Sequence, residues 1–547
     1  MNEKFVDFGT DAGDSLRRGI NTLSNAVKST LGAAGKTVII EDEFGRPHVT
    51  KDGVTVAKSI ILDHPVENMG ASIVREASIK TSDKAGDGTT TSVVLAQDLI
   101  RISTELLRAD DKMNVSVFRE HLDYLSKEII EFLDSKVKKV TKKGLSNVAS
   151  ISANNDKELG SIIADAFNKV GADGAVSVET SPTNTTYIKV VEGTRMKRGY
   201  VSPYLITDKE KSTSVLENAL VLLSDKKVTK WDDIKFYLEA SVTKKVPLLI
   251  VADVDQAVMA NINTNKLRGA LDINVVAPEG VGNNRLEILN DLAVMTGAIV
   301  VSDDTGVDWN NMSIDNLGLA KKVTSTANQT IITLSGETKK QVIEQAGIVR
   351  KILENKEDKP NIWHHKDRLS RLAGGVATIY VGAYTEVELK EKKDRVDDAI
   401  SATRAALEEG VIPGGGASLL HASLYLLHKY SGTKLSSEKD AAIFTITQAL
   451  TSPISTIMSN AGLEFQEIDI VIKQVGEADF NTGYDVKKRL VVDMTKSGII
   501  DPAKVTKSAF SNAMSVAQIV LQTDCIITNL KEKFQSNNKI ANTIQQQ

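Results

Sequence analysis

Residues Ala85-Gly86-Asp87-Gly88-Thr89-Thr90-Thr91, running into Val93-Val94-Leu95-Ala96, carry the densest chemical signal in the chain. Two glycines around an aspartate permit a tight turn that brings backbone amides against an anion. The three threonines supply hydroxyls where a helix begins, and there the unpaired N–H groups and the helix dipole favour phosphate. Asp87 is a hard oxygen ligand suited to Mg²⁺ bridging phosphates. The competing reading is structural, a glycine turn followed by an N-capped helix. The motif alone supports both equally.

Other segments tilt the balance. Thr30-Leu31-Gly32-Ala33-Ala34-Gly35-Lys36 puts a glycine-rich turn after an amphipathic helix. Its spacing is wrong for a P-loop, and no buried strand leads into it. Thr50-Lys51-Asp52-Gly53 is a short acidic turn, by itself no more than a hairpin signal. Far downstream, Lys392-Lys393-Asp394-Arg395-Val396-Asp397-Asp398-Ala399 leads to Glu408-Glu409-Gly410 and then Gly414-Gly415-Gly416. Paired acids on a helix usually mark a solvated face. A carboxylate held beside a metal-bound triphosphate, however, polarises water as a general base.

Around these motifs the chain has two helical ends and a different middle. Leu16, Ile20, Leu23, Val27 and Leu31 recur at spacings of three or four, one apolar stripe on one helix. Asp501-Pro502 reads as an N-cap followed by proline at the first helical position, before a stripe of Val505, Ala509, Ala513, Val516 and Val520. In the middle, Ala219–Leu223, Pro247–Val251 and Ala298–Val301 read as buried strands. They alternate with helical spacing at Leu286, Leu289, Leu292 and Met295, which predicts an α/β unit. Gly193, Gly374 and Gly375 flank that region, as hinges or, more simply, as turn residues. The polar C-terminal stretch from Phe534 reads as a frayed end.

With 547 residues the chain exceeds one core and should divide into two to four domains. Sixty-seven basic against 71 acidic residues give a formal charge of −4 with both signs interspersed. That balance argues against a nucleic-acid partner, which demands a basic face. No apolar run is long enough to span a bilayer, and the N-terminus lacks a targeting pattern, so a cytoplasmic protein without a membrane partner is expected. Cys525 has no second cysteine to pair with and reads as a small core residue. Trp363-His364-His365-Lys366-Asp367 reads as a solvated helix start, since adjacent histidines should not share a face for a metal.

Taken in order, TLGxxGK, TKDGVTVAK, ENMGA, AGDGTTT, SISAN, VGADGAVSVE, RGYVSPY, RLAGGVATI, EKKDRVDDAISATRAALEEG, PGGG and GIIDPAKV resemble the group I chaperonins, the GroEL family, over nearly the whole chain. The resemblance implies a multidomain α and α/β fold: a helical equatorial ATPase domain (1–135 and 410–547), a small intermediate domain (136–192 and 376–409) and an α/β apical domain (193–375). It implies rings of seven copies that capture unfolded or partly folded proteins, and a co-chaperonin lid. Mapped motif by motif, it places Thr30, Leu31 and Gly32 near phosphate, with Lys51, Asp52 and Gly53 closing one side. Asp87 binds Mg²⁺, and Gly88, Thr89, Thr90 and Thr91 cradle the phosphates of ATP. Asp398 orients the hydrolytic water with help from Asp52. Gly415 lies against the nucleotide and Asp501 takes the ribose hydroxyls. K⁺ sits near Thr30, Lys51 and Thr90, and hinges fall near Gly193, Gly374, Gly375 and Gly410. Tyr200, Tyr204, Leu205, Leu238 and Met259 supply an apolar client groove.

The sequence also departs from that family. Ala33 and Ala34 follow Gly32 where proline is usual, and Tyr484-Asp485-Val486-Lys487 replaces the usual base-contacting run. Lys235, Asn263 and Thr264 make the groove more polar. Ala109-Asp110-Asp111-Lys112 and Ser455 alter the surface expected between rings. The pattern is that of a divergent member, from a phage or another fast-evolving lineage. A ring-forming scaffold with reduced folding activity is the alternative, and intact Asp52, Asp87 and Asp398 argue against it.

Overall fold

The computed structural model describes residues 4–41, 45–171, 175–191, 193–209, 211–309, 311–334, 337–354 and 362–529. The polar C-terminal stretch read from the sequence lies outside them. The chain forms two compact units, one from residues 1–164 and 384–547, the other from 165–383.

The first unit is helical and built from both chain ends. Its core joins Leu16, Ile20, Leu23 and Val27 of the Gly9–Lys28 helix to Val93, Leu95 and Leu99 of the Thr89–Ala109 helix. Phe510, Ala513 and Met514 of the Ala503–Gln522 helix complete it. The apolar stripes read from the sequence are thus the faces these helices bury. Two details differ. Leu31 lies beyond the first helix, which ends at Lys28. Asp501 is in a short strand, Ile500–Pro502, and Pro502 itself holds the N-cap position. That strand pairs antiparallel with Val411–Pro413, which places Asp501 opposite Ile412.

Strands Lys4–Phe8 and Cys525–Asn529 pair antiparallel. Here the core reading of Cys525 is corrected: its side chain is exposed. Successive strand residues face opposite ways, so Ile526 and Thr528 take the inward positions and Cys525 the outward one.

The second unit is α/β. Its main sheet runs in the order 193–196, 330–333, 318–325, 214–224, 248–251, 273–276, with Val300–Val301 pairing beside 214–224. Strands 214–224, 248–251 and 273–276 are mutually parallel, and 318–325 is antiparallel to the first of them. Val221 and Leu223 enter one core with Leu289 and Leu292, while Leu220 and Leu222 enter another with Ile234 and Tyr237. Both faces are covered, which is why this strand reads as an unbroken apolar run rather than an alternation. A smaller sheet, Ala175–Thr180, Val376–Val381 and Tyr187–Val191, completes the unit.

Gly193 is neither a turn residue nor at a positive φ. It is a buried strand residue whose absent Cβ would fall 2.4 Å from the Ile332 carbonyl oxygen. Gly375, at φ 63°, does make the turn from the Ile362–Gly374 helix into the next strand.

The histidine pair is a second correction. His365 is buried, and His364 Nε2 lies 2.8 Å from Glu287 Oε2. Arg368 contacts that same Glu287 oxygen at 2.8 Å and makes two bonds to Asp291. Ion pairing with the Asn283–Thr296 helix draws this helix start inward instead of leaving it solvated. Glu287, His364 and His365 come close enough together to suggest a metal centre. The Arg368 guanidinium already occupies the carboxylate charge that a cation would need.

Candidate functional site

Within the helical unit the sequence-predicted residues converge from six separated segments. Gly86 ends the Pro65–Ala85 helix in a left-handed conformation, φ 72°, and Gly88, φ 82°, is the left-handed N-cap of the Thr89–Ala109 helix. Asp87 is therefore held between a helix stop and a helix start, in a glycine turn that joins two helices. Gly88, as the N-cap, has no side chain with which to cap the second helix. Its first-turn amides, at Thr89, Thr90 and Thr91, are the ones a helix cannot satisfy internally.

Asp87 accepts hydrogen bonds from the Gly88 amide and, at 2.9 Å, from the Ser152 hydroxyl. Gly53 sits so close to this helix start that a Cβ there would fall 2.2 Å from Thr90 Oγ1. Its neighbour Asp52 N-caps the Gly53–Ser59 helix, accepting from Val54 N, Thr55 N and Thr55 Oγ1. Three bonds to one carboxylate fix its orientation. Thr30 reaches the same place, with its Oγ1 3.3 Å from Thr90 Oγ1. The loop through Leu31 and Gly32 is pinned by Asn460, whose amide donates to the Lys28 and Leu31 carbonyls at 2.9 Å each. Lys51 lines a cleft together with Asp52, Ser152 and Asp398.

Asp398 stands on the long Glu386–Glu409 helix. Burial, with the charges of Asp52 and Asp87 beside it, raises its pKa well above the ordinary carboxylate range. Burial likewise raises Asp87, with Asp52 adding to the effect and the Gly88 and Ser152 bonds opposing it. Asp501 is pushed up to about 7, by burial first and the Asp87 charge second, while the Gly415 amide pulls the other way. Gly415, φ 63°, lies in the turn after Val411–Pro413, where a Cβ on neighbouring Gly414 would fall 2.6 Å from Asp501 Oδ1.

Crowded carboxylates that hold protons above their usual range lack positive charge. Hard oxygens beside unsatisfied helix amides suit a divalent cation carrying phosphate. The residues present therefore fit Mg²⁺ with a nucleotide. Ser152, which holds Asp87, and Asn460, which pins the Leu31 loop, carry no role in the sequence reading. Ser152 lies in the SISAN motif, and that is the signal that could have found it.

The client residues divide. In the α/β unit Tyr204 is 58% exposed, and Tyr200 and Met259 are half-buried. Leu205 and Leu238 are corrected: at 0% and 3% exposure they are core residues, packed with Val258 and Ile262 under the sheet. The Trp231–Lys244 helix turns Ile234, Tyr237 and Leu238 inward, so Phe236 and Val242 face solvent instead. Phe236, 54% exposed, has no place in the sequence reading.

Among the described residues one helix, Ser437–Asn460, has the length and apolarity to cross a membrane, and 56% of its apolar window is buried within the fold.

Comparison with known proteins agrees with this fold. Solved structures include the chaperonin gp146 from bacteriophage EL 2 (Pseudomonas aeruginosa), determined in the presence of ATP-BeFx. It superposes with a TM-score of 0.69 at 22% identity, over 96% of this chain and 99% of that one. Residues 23–531 match the TCP-1/cpn60 chaperonin family. The chain belongs to that chaperonin family.

Proposed function

We propose that the Asp52–Asp87–Asp398 cleft binds Mg²⁺–ATP and hydrolyses it to drive the capture and release of non-native proteins. The observation that carries this reading is the convergence of three acidic groups from distant segments onto an uncapped helix start, with Asp87 and Asp398 both raised in pKa. Asp87 would hold the cation, which supplies charge neutralisation to the phosphoryl oxygens. The amides and hydroxyls of Thr89, Thr90 and Thr91 receive phosphate, with Gly88, Thr30, Leu31, Gly32, Lys51 and Gly53 around it. Asp398 orients a water and accepts its proton, and the raised pKa makes its carboxylate a stronger base than an ordinary one. Asp52, its carboxylate fixed by the helix it caps, adds negative charge beside Asp398. Gly415 and Asp501 form the sugar side, and K⁺ sits at backbone oxygens of Thr30, Lys51 and Thr90.

As a chaperonin the protein binds non-native proteins and assembles into rings. The finer reading is a cytoplasmic ring of seven copies that takes a co-chaperonin lid. Its equatorial, intermediate and apical domains would follow the five-segment division given above, with apolar capture on the exposed side chains of the Trp231–Lys244 and Gln256–Leu267 helices.

Single-turnover hydrolysis with parallel nucleotide binding tests the assignment. Asp398→Ala should slow turnover by about a hundredfold while keeping Mg²⁺–ATP affinity, the scale of a lost general base. Asp87→Ala should lose Mg²⁺-dependent binding and turnover together. Unchanged hydrolysis in the Asp398 variant would remove that carboxylate from the reaction.

A further inference from the structure

Gly86 has two separate reasons to be glycine, and only one of them is the turn. Its φ of 72° closes the Pro65–Ala85 helix, with its amide donating to the Ser82 carbonyl at 2.7 Å. Asparagine also tolerates that conformation. The second reason excludes asparagine as well. A Cβ built on Gly86 would fall 2.1 Å from the Cβ of Ser401 and 2.7 Å from its Oγ. The Glu386–Glu409 helix therefore rests directly on the backbone of the Asp87 loop.

Ser401 is three residues beyond Asp398 on that helix, so the two project from neighbouring positions on one face. A spacing set at Ser401 is passed one turn along a rigid rod to the Asp398 carboxylate. The contact continues in small side chains, for Ala85, Ala405 and Val505 form one buried cluster. At the other glycine of the loop a Cβ on Gly88 would fall 2.6 Å from Val505 Cγ1. The loop thus packs closely on both helices, the one that carries Ser401 and the one that carries Val505. The Lys142–Ser152 helix packs on the Glu386–Glu409 helix, and its last residue, Ser152, donates to Asp87 Oδ2.

We infer that Gly86 is a positioning residue: by lacking a side chain it sets how closely the Glu386–Glu409 helix, and with it Asp398, approaches Asp87. The inference rests on the assignment of Asp398 to hydrolysis. Reacting groups tolerate little displacement, and a shift of about 1 Å costs up to about a hundredfold in rate. A helix held off the loop keeps the phosphate-binding backbone intact and displaces only the group that acts on water.

The test uses the full-length, assembled protein, with single-turnover ATP hydrolysis and equilibrium Mg²⁺–ATP binding measured for each variant. Ser401→Leu adds bulk at the contact and leaves the Gly86 backbone unstrained. It should slow turnover by about ten- to a hundredfold while nucleotide affinity changes by no more than about threefold. Ser401→Val, a smaller change, serves the same purpose if leucine prevents folding. Gly86→Ala should behave alike, and Gly86→Ala/Ser401→Gly, which removes the opposing Cβ, should recover most of the lost rate. Wild-type turnover in Ser401→Leu overturns the inference, as does a loss of affinity equal to the loss of rate. Asp398→Asn is measured alongside. If it hydrolyses normally, the assignment of Asp398 has failed; if it is slow while Ser401→Leu is not, only the role of Gly86 has failed.

Discussion

At Gly86-Asp87-Gly88 an acidic side chain is placed by a backbone locked between two helix ends. Along Trp231–Lys244, each side chain is placed by the rotation of a whole helix against a sheet. The two regions answer to different physics. Left-handed dihedrals and an absent Cβ act over three residues, and they leave Asp87 one direction to point. Helix rotation is settled by packing against distant strands, and shifting it by one position exchanges an inward residue for an outward one. In the first region, acids from far apart in sequence meet. In the second, Leu238 turns into the core and Phe236 turns out.

The largest effect expected from this contrast lies in the α/β unit. Leu238→Ala should destabilise that unit by about 2–5 kcal/mol, the cost of a buried leucine deletion. Phe236→Ser should leave thermal stability within about 0.5 kcal/mol, as surface changes do. It should also weaken capture of an unfolded client about five- to tenfold through lost apolar contact. Denaturation curves and client binding measured on both variants decide the point. If Leu238→Ala weakened capture with no loss of stability, this helix would face the other way in solution.

In the helical unit the corresponding lever is charge. The Asp501 pKa lies near 7 in the folded protein against an ordinary 3.8, so the folded state binds a proton that the unfolded chain releases. Its stabilising effect is complete below about pH 4 and disappears as pH rises through 7. Asp501→Asn should abolish that dependence. Without nucleotide, the variant should match the wild type at pH ~3.5 and exceed it at pH 8 by of order 1–3 kcal/mol, allowing for partial solvent screening. Parallel wild-type and variant stability curves across that range would show that Asp501 titrates normally.

The smallest effect concerns the polar groove. Asn263 holds a buried side-chain oxygen without a hydrogen-bond donor, and Thr264 donates back to the Ala260 carbonyl at 2.8 Å. Asn263→Val/Thr264→Val removes the unsatisfied acceptor and adds apolar surface. It should tighten binding of an apolar client about two- to threefold. Unaltered affinity would move the capture surface away from the Gln256–Leu267 helix.

Legibility followed the same division. Residues whose geometry is local were readable, because a glycine before and after an aspartate constrains its neighbours whatever surrounds them. Asp52, Asp87 and the threonine run belong to that class. Gly86 was readable as a turn glycine, but its closeness to Ser401 was not, since those residues are 315 positions apart. Cys525 and His365 were misread for a shared reason. Burial in a strand depends on the parity of its register, and burial of a helix start depends on which acids the neighbouring helix presents. Neither Glu287 nor Asp291 is near His364 in sequence, yet their pairing with His364 and Arg368 turns an apparently solvated stretch into core.

The amino-acid sequence by itself determined the helical character of both chain ends, the α/β character of the middle and the chemistry available at the Asp–Gly loops. Apolar spacing and glycine placement act within a few residues and require no knowledge of the rest of the chain. The tertiary structure alone decided that Asp398 lies within reach of the charges of Asp52 and Asp87, and Asp501 within reach of that of Asp87. It also decided that Ser152 holds Asp87, that Ser401 rests on Gly86 and that Phe236 rather than Leu238 meets solvent. Each of these depends on long-range packing, in which the excluded volume of one segment sets the position of another hundreds of residues away.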